Sequence, residues 1–235
     1  MTRLVLYALL LAPISAPALT LSFVTEEHPP SNFLAYDGVS VTGSSTETLR
    51  EMAKRLALPA NFTLHAWRAA YRQALADPTT CVYSTSRTEA REKHFKWVGP
   101  LAEIDWVVYG LADTTISAKR LEDLRPYVIG GYQSDAKSQY MKEKGFQVDF
   151  ANAEQQSLQK LASGRVDLWL ATSRSGPWLA RKLGIPIQPV FTLGQIRLYA
   201  ACNPAVPDDL IRRMNATLRE MQQDGSWARI NVPYE

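Results

Sequence analysis

"CVYSTSRTEAREKHFKWVGP", residues 81–100, starts as an apolar run, turns polar at Ser84-Thr85-Ser86, carries arginines at 87 and 91, and closes on a tryptophan-bearing loop. Short apolar runs bounded by turn residues are what a strand buried on both faces leaves in a sequence. The same signal occurs twice upstream, at "LTLSFVT" (19–25) and "NFTLHAW" (61–67). Between these runs lie helical patterns: 44–58, with Leu49, Met52, Ala53 and Leu56 on one face, and "RAAYRQALA" (68–76). The strand at 80–85 therefore closes a β-α-β-α-β succession, for which a parallel sheet is the economical arrangement. A further strand, "EIDWVVYGLA" (103–112), follows.

The alternation then begins again. "YVIGGY" (127–132), a helix over 135–144 stopped by Gly145, "FQVDFA", the helix "EQQSLQKLASG", "VDLWLAT", the helix "PWLARKLG" and "IQPVFTL" make a second α/β unit. One more strand, "IRLYAAC" (196–202), precedes a closing helix that has Pro207 and Asp208 at its start and Gly225 at its end. Two α/β halves follow from this order. We expect residues 19–109 plus 197–235 to form one lobe and 110–196 the other, with hinges at 105–110 and 196–202.

Residues 1–18, "MTRLVLYALLLAPISAPA", show one positive charge, a short apolar run and Ala16-Pro17-Ala18, the small-x-small pattern of a cleaved secretory signal. The run falls short of the ~20 residues that span a bilayer, and Pro13 interrupts it. The chain is thus read as exported to the periplasm, with cleavage after Ala18. A net charge of +3, which loses one unit with Arg3, argues against nucleic acid or an acidic membrane surface as partner. The two cysteines, Cys81 and Cys202, lie in strand-like runs, and in an exported protein such a pair predicts a disulfide. Three scattered histidines, at 28, 65 and 94, offer no metal-ligand spacing, so no metal or other cofactor is expected.

Ligands of open α/β sheets bind outside the carboxyl ends of the strands, where the topology switches. Arg87 and Arg91 follow such an end, and Ser84 and Ser86 with the backbone N–H groups of a following helix start would complete an anion site suited to a carboxylate. The alternative is a capping box, Ser86-x-x-Glu89, with both arginines in solvent. Trp67 and Tyr132 each follow a strand and precede a helix, and Glu26 lies just beyond the first strand, so all three are candidates for the same crevice.

In this order the segments resemble the extracellular solute-binding proteins of family 3, periplasmic receptors of amino-acid-type ABC importers. "HPPSNFLAYDGVSVTGSSTETLREMAKRL" is similar to the family's opening, and "STSRTEAREKHFKWVGP" to its signature, a Thr-x-x-Arg ahead of an aromatic residue and a proline. "LASGRVDLWLA" is similar to its Gly-Arg-hydrophobic-Asp segment, and "LYAACNPAVPDDLIRRMNATLREMQQDG" to its last strand and helix. The resemblance implies a two-lobed periplasmic-binding-protein type II fold, each lobe a mostly parallel sheet flanked by helices, with two hinge crossings. It also selects Arg91, within Thr88-x-x-Arg91, as the group that holds a ligand carboxylate, and leaves Arg87 as an extra surface arginine.

The sequence departs from the family where an amino-acid ligand's ammonium is received. The position five residues beyond Asp167, where a carboxylate is typical, is Thr172. At the start of the second lobe's first helix, Ser134-Asp135-Ala136 stands where Gly-Thr-Thr is frequent. Asp135 could either replace the missing carboxylate or cap the helix. The implied function is a monomeric, non-enzymatic binding protein that captures a small carboxylate-bearing solute between its lobes and presents it to an ABC permease. Alternatives are a periplasmic enzyme resembling cyclohexadienyl dehydratases, with Glu26 or Asp135 as general acid, and a sensory or accessory binding protein without a permease.

Overall fold

The computed structural model describes residues 19–234; the expected signal peptide, 1–18, lies outside them. The first half runs β1 (Leu21–Thr25), β2 (Phe33–Leu34), β3 (Val41–Thr42), α1 (Ser44–Arg55), β4 (Ala60–Leu64), α2 (Trp67–Ala76), β5 (Thr80–Ser86), α3 (Glu89–Glu92) and β6 (Lys96–Leu111). The second half runs β7 (Val128–Tyr132), α4 (Ala136–Glu143), β8 (Gln147–Ala151), α5 (Glu154–Ala162), β9 (Leu168–Thr172), α6 (Ser175–Leu183) and β10 (Ile187–Cys202), and the chain closes with α7 (Asp208–Gln223) and α8 (Ser226–Asn231).

Eight strands form one mixed sheet in the order β4-β1-β5-β10-β6-β9-β7-β8. β4, β1 and β5 are mutually parallel, as are β8, β7 and β9. Between these trios lie β10 and β6, antiparallel to each other and to their outer neighbours. Each trio with its helices is one lobe, and the β6–β10 pair runs through both. This is the two-lobed α/β architecture with two crossings.

Each trio is covered on both faces, so its inner strands, β1 and β5 in one and β7 and β9 in the other, are mostly buried, whereas the edge strands β4 and β8 are partly exposed. In the first lobe Leu21, Phe23, Tyr83 and Val98 pack under Leu49 and Met52 of α1 and Met214, Leu218 and Met221 of α7. Val24, Val82 and Ala201 pack on the opposite face under Trp67, Ala70 and Ala74 of α2. In the second lobe Trp169, Val107 and Ala171 meet Leu158 and Leu161 of α5, and Ile129, Leu168 and Leu170 meet Met141 of α4. The crossing itself has only a thin cluster, Ala102, Ile104 and Leu198 with Ile196 against them.

Cys81 and Cys202 stand opposite each other in the β5–β10 ladder and form the expected disulfide, with Cα atoms 3.9 Å apart and a sequence separation of 121. The crossing strands are longer than the sequence pattern indicates. β6 begins at Lys96, ahead of the expected 103, and "IQPVFTL" and "IRLYAAC" are one strand. Register shifts in the β6–β10 ladder between Thr192 and Gly194 and between Leu198 and Ala200 absorb Gly194 and the Gly99-Pro100 pair. Bulges are where a sheet tolerates glycine and proline, and these let each strand continue past its breaker.

Candidate functional site

Four carboxyl ends of parallel strands converge on one crevice between the lobes. Glu26 follows β1, Ser84 and Ser86 end β5, Tyr132 ends β7 and Thr172 ends β9. Trp67 and Arg91 complete the first lobe's side, and Asp135 and Lys137, at the start of α4, the second lobe's side. The enclosed space among them is about 30 Å³, enough for one or two waters.

Arg91 lies over the faces of Trp67 and Tyr71, its guanidinium carbon 5.3 and 5.2 Å from the two ring centres. Its nitrogens donate to the Ser86 carbonyl at 3.3 Å and the Ser134 carbonyl at 3.1 Å. No carboxylate pairs with it among the described residues. Arg87 points elsewhere: it donates to both Glu92 oxygens at 2.8 and 2.6 Å, lies 5.5 Å from the rings of Trp97 and Tyr199, and is exposed. The Ser86–Glu89 capping box is not formed. α3 is preceded by Thr88 and has no side-chain cap.

The other expected residues divide. The Ser84 hydroxyl, on a residue with φ of 54°, is committed to the Asn32 side chain, which also bonds Thr25 and the Glu26 carbonyl. Ser134, with φ of 64°, is exposed and contributes its carbonyl, which accepts from Trp67 Nε1 at 2.9 Å as well as from Arg91. Each lobe therefore has one non-glycine residue in the left-handed region beside the crevice, the kind of local cost that gathers where function fixes the backbone. Thr172 is buried, and its hydroxyl is engaged by Ser175, whose backbone N–H donates to it at 2.9 Å.

Asp135 caps α4 and at the same time lines the crevice. Its Oδ2 accepts from the Ser138 backbone at 3.0 Å and the Ser138 hydroxyl at 2.7 Å. This seat needs Gly131, since a Cβ there would lie 2.4 Å from the Ser138 hydroxyl. Its other oxygen meets the ammonium of Lys137 at 3.0 Å.

Lys137 and His28 are residues that sequence reasoning missed. Lys137 is 2 % exposed; its Nζ lies 3.5 Å from Glu154 Oε1 and 4.6 Å from the centre of the Tyr132 ring. Burial works against its charge, but Asp135 and Glu154 outweigh it and hold the amine above its ordinary range. A signal was present, because a lysine in a helix's first turn opposes the macrodipole and needs a local reason. His28 is buried with its Nε2 3.6 Å from Glu154, and burial lowers it, so it is neutral. Glu26 accepts from the Tyr132 hydroxyl at 2.9 Å across the crevice. Burial, with Glu154 and Asp135 nearby, pushes its carboxyl up to about 8 despite the Tyr132 bond and Lys137.

This crevice belongs to a chain that matches the bacterial extracellular solute-binding proteins, family 3, over residues 21–234. The protein is a member of that family. Among solved structures, a histidine kinase sensor domain with similarity to periplasmic binding proteins superposes with a TM-score of 0.85 at 19% identity, covering 92% of this chain and 96% of the other. An arginine transport-system periplasmic binding protein from Legionella pneumophila gives 0.78 at 22% identity, with 93% and 100% covered. An ancestral amino-acid-binding protein, a precursor of cyclohexadienyl dehydratase, gives 0.79 at 19%, with 92% and 95% covered. At such identities these likenesses establish the fold, and that fold serves receptors, a sensor and the forerunner of an enzyme. A comparison with curated proteins gave no match.

Proposed function

We propose that this family member is a periplasmic receptor that closes two lobes, 19–109 with 197–235 and 110–196, around a small carboxylate-bearing solute gripped by Arg91. The observation that carries this reading is the guanidinium itself. It faces the crevice at a strand's carboxyl end, lies over two adjoining aromatic rings, and has no carboxylate partner among the described residues. A planar cation presented in this way matches a carboxylate bidentately. Bending near 105–110 and 196–202 is part of the same proposal, supported by the thin cluster of Ala102, Ile104, Ile196 and Leu198 where these segments begin, as is delivery of the solute by a monomer to an ABC permease.

The test is calorimetric titration and thermal shift of the mature protein against a panel of amino, oxo, hydroxy and simple carboxylic acids, with polyamines, which carry ammonium groups and no carboxylate, as controls. A carboxylate at about 100 times its dissociation constant should stabilise the fold by about 2.7 kcal/mol. Binding of polyamines with no carboxylate binding overturns the reading.

One observation favours a second reading. Glu26 is a carboxyl that keeps its proton near neutrality inside a ligand crevice, which is what a general acid requires. Asp135, capped and paired, does not share that role. Enzymatic action would appear as aromatisation of a cyclohexadienyl acid followed by ultraviolet absorbance; a rate equal to that of buffer removes this reading.

A further inference from the structure

The second lobe's side of the crevice contains a receptor for an ammonium group, and the protein's own Lys137 occupies it. Two carboxylates and an aromatic face are the groups that bind a primary ammonium most strongly. Here they are Asp135 at 3.0 Å, Glu154 at 3.5 Å and the ring of Tyr132 at 4.6 Å from Lys137 Nζ. From these observations, and resting on the carboxylate reading above, we propose that the site selects carboxylic acids lacking an α-amino group, such as 2-oxo or 2-hydroxy acids, and excludes α-amino acids.

The remaining acceptors on that side are committed. Asp135 Oδ2 takes the Ser138 backbone and hydroxyl, and Glu154 takes the Ser175 hydroxyl at 3.2 Å and faces His28 at 3.6 Å. Thr172 takes the Ser175 backbone N–H. Across the crevice, Glu26 Oε1 accepts from Tyr132, and burial pushes its carboxyl up to about 8, so it keeps its proton near neutrality and offers no anion. A ligand ammonium entering this space would be a second buried cation beside Lys137 with no free anion, the arrangement that low-dielectric sites penalise most. A carboxylate meets no such obstacle at Arg91, and an oxo or hydroxyl group in place of the amine brings no charge.

The experiment titrates the mature wild-type protein calorimetrically with matched acids: alanine, pyruvate and lactate; glutamate, 2-oxoglutarate and 2-hydroxyglutarate; phenylalanine and phenylpyruvate. In at least one set the amine-free acid should bind about 100-fold or more tightly than its amino partner, on the order expected for a buried charge left unpaired. An amino acid that binds as tightly as its oxo partner overturns the inference while leaving the carboxylate reading standing. Absence of binding by every acid fells both. Lys137→Met frees the ammonium receptor and should shrink the gap at least tenfold; should that variant not fold, Lys137→Gln keeps a donor to Asp135 while removing the charge. An unchanged gap in a folded variant overturns the assignment to Lys137.

Discussion

The two sides of the crevice present charge in opposite ways. The first lobe presents Arg91 with its charge uncompensated by any carboxylate, supported by ring faces and carbonyl oxygens. The second lobe presents three ionic groups, Asp135, Lys137 and Glu154, that largely satisfy one another. An unsatisfied guanidinium is a binding element, whereas a closed ion cluster is a wall that fixes shape and rejects further charge. What a side chain can do for a ligand depends on how much of its bonding capacity its neighbours have already taken.

The largest expected effect concerns the covalent tie in the first lobe, which has no counterpart in the second among the described residues. Breaking the Cys81–Cys202 bridge, by reduction or by the Cys81→Ala/Cys202→Ala pair, should lower stability by about 4–5 kcal/mol in the chain-entropy account of a long closed loop. Urea unfolding of oxidised and reduced protein measures it, and equal midpoints would mean that the bridge does not stiffen the lobe that carries Arg91. Next is the second lobe's cluster. Lys137→Met leaves Asp135 and Glu154 without their cation and should cost about 4 kcal/mol of folding stability, since removing one member of a buried pair strands the other. A loss below about 1 kcal/mol would show that solvent reaches the cluster.

A smaller effect follows from Glu26, the group that links the two sides through Tyr132. Its carboxyl is raised from an ordinary 4.5 to about 8, so between these values the folded protein holds a proton that the unfolded chain has released. The associated stability is complete below about pH 4.5 and is lost as pH rises through about 8. Allowing for the part of the residue that remains in contact with water, the loss should total about 3 kcal/mol. Glu26→Gln keeps an acceptor for Tyr132 and should flatten the dependence. Urea midpoints at pH 5, 6, 7 and 8 decide it, and parallel slopes in wild type and variant refute the role of Glu26.

Much of the architecture was legible because both trios obey one rule, an apolar strand followed by an amphipathic helix. The strand ends pointed to Glu26, Ser84, Ser86 and Tyr132, and the family resemblance to Thr172, and all five line one crevice. Bulged pairing was not legible. Gly99-Pro100 and Gly194 are breakers in sequence, yet the β6–β10 ladder carries both through shifts of register. The closing segment after Gly225 forms α8, a helix too short to register as a periodic pattern. Lys137 was hidden for a different reason. Its place in the first turn of α4 marks it as unusual, but its partner Glu154 belongs to α5, so only the tertiary fold shows what surrounds its ammonium. Asp135 was ambiguous between ligand and cap because a carboxylate has two oxygens; one caps the helix and the other meets Lys137.

The most direct test of the account is the affinity of Arg91→Ala and Arg87→Ala for the tightest-binding acid of the panel, measured side by side by calorimetry. Loss of the desolvated guanidinium at 91 should weaken binding at least about 30-fold, equivalent to about 2 kcal/mol, with Arg91→Lys recovering only part because an ammonium lacks the planar fork. Removal of Arg87, which is exposed and paired with Glu92, should change affinity by less than about threefold. Equal losses for the two alanine variants, or a greater loss at Arg87, would contradict the claim that Arg91 is the carboxylate-binding group.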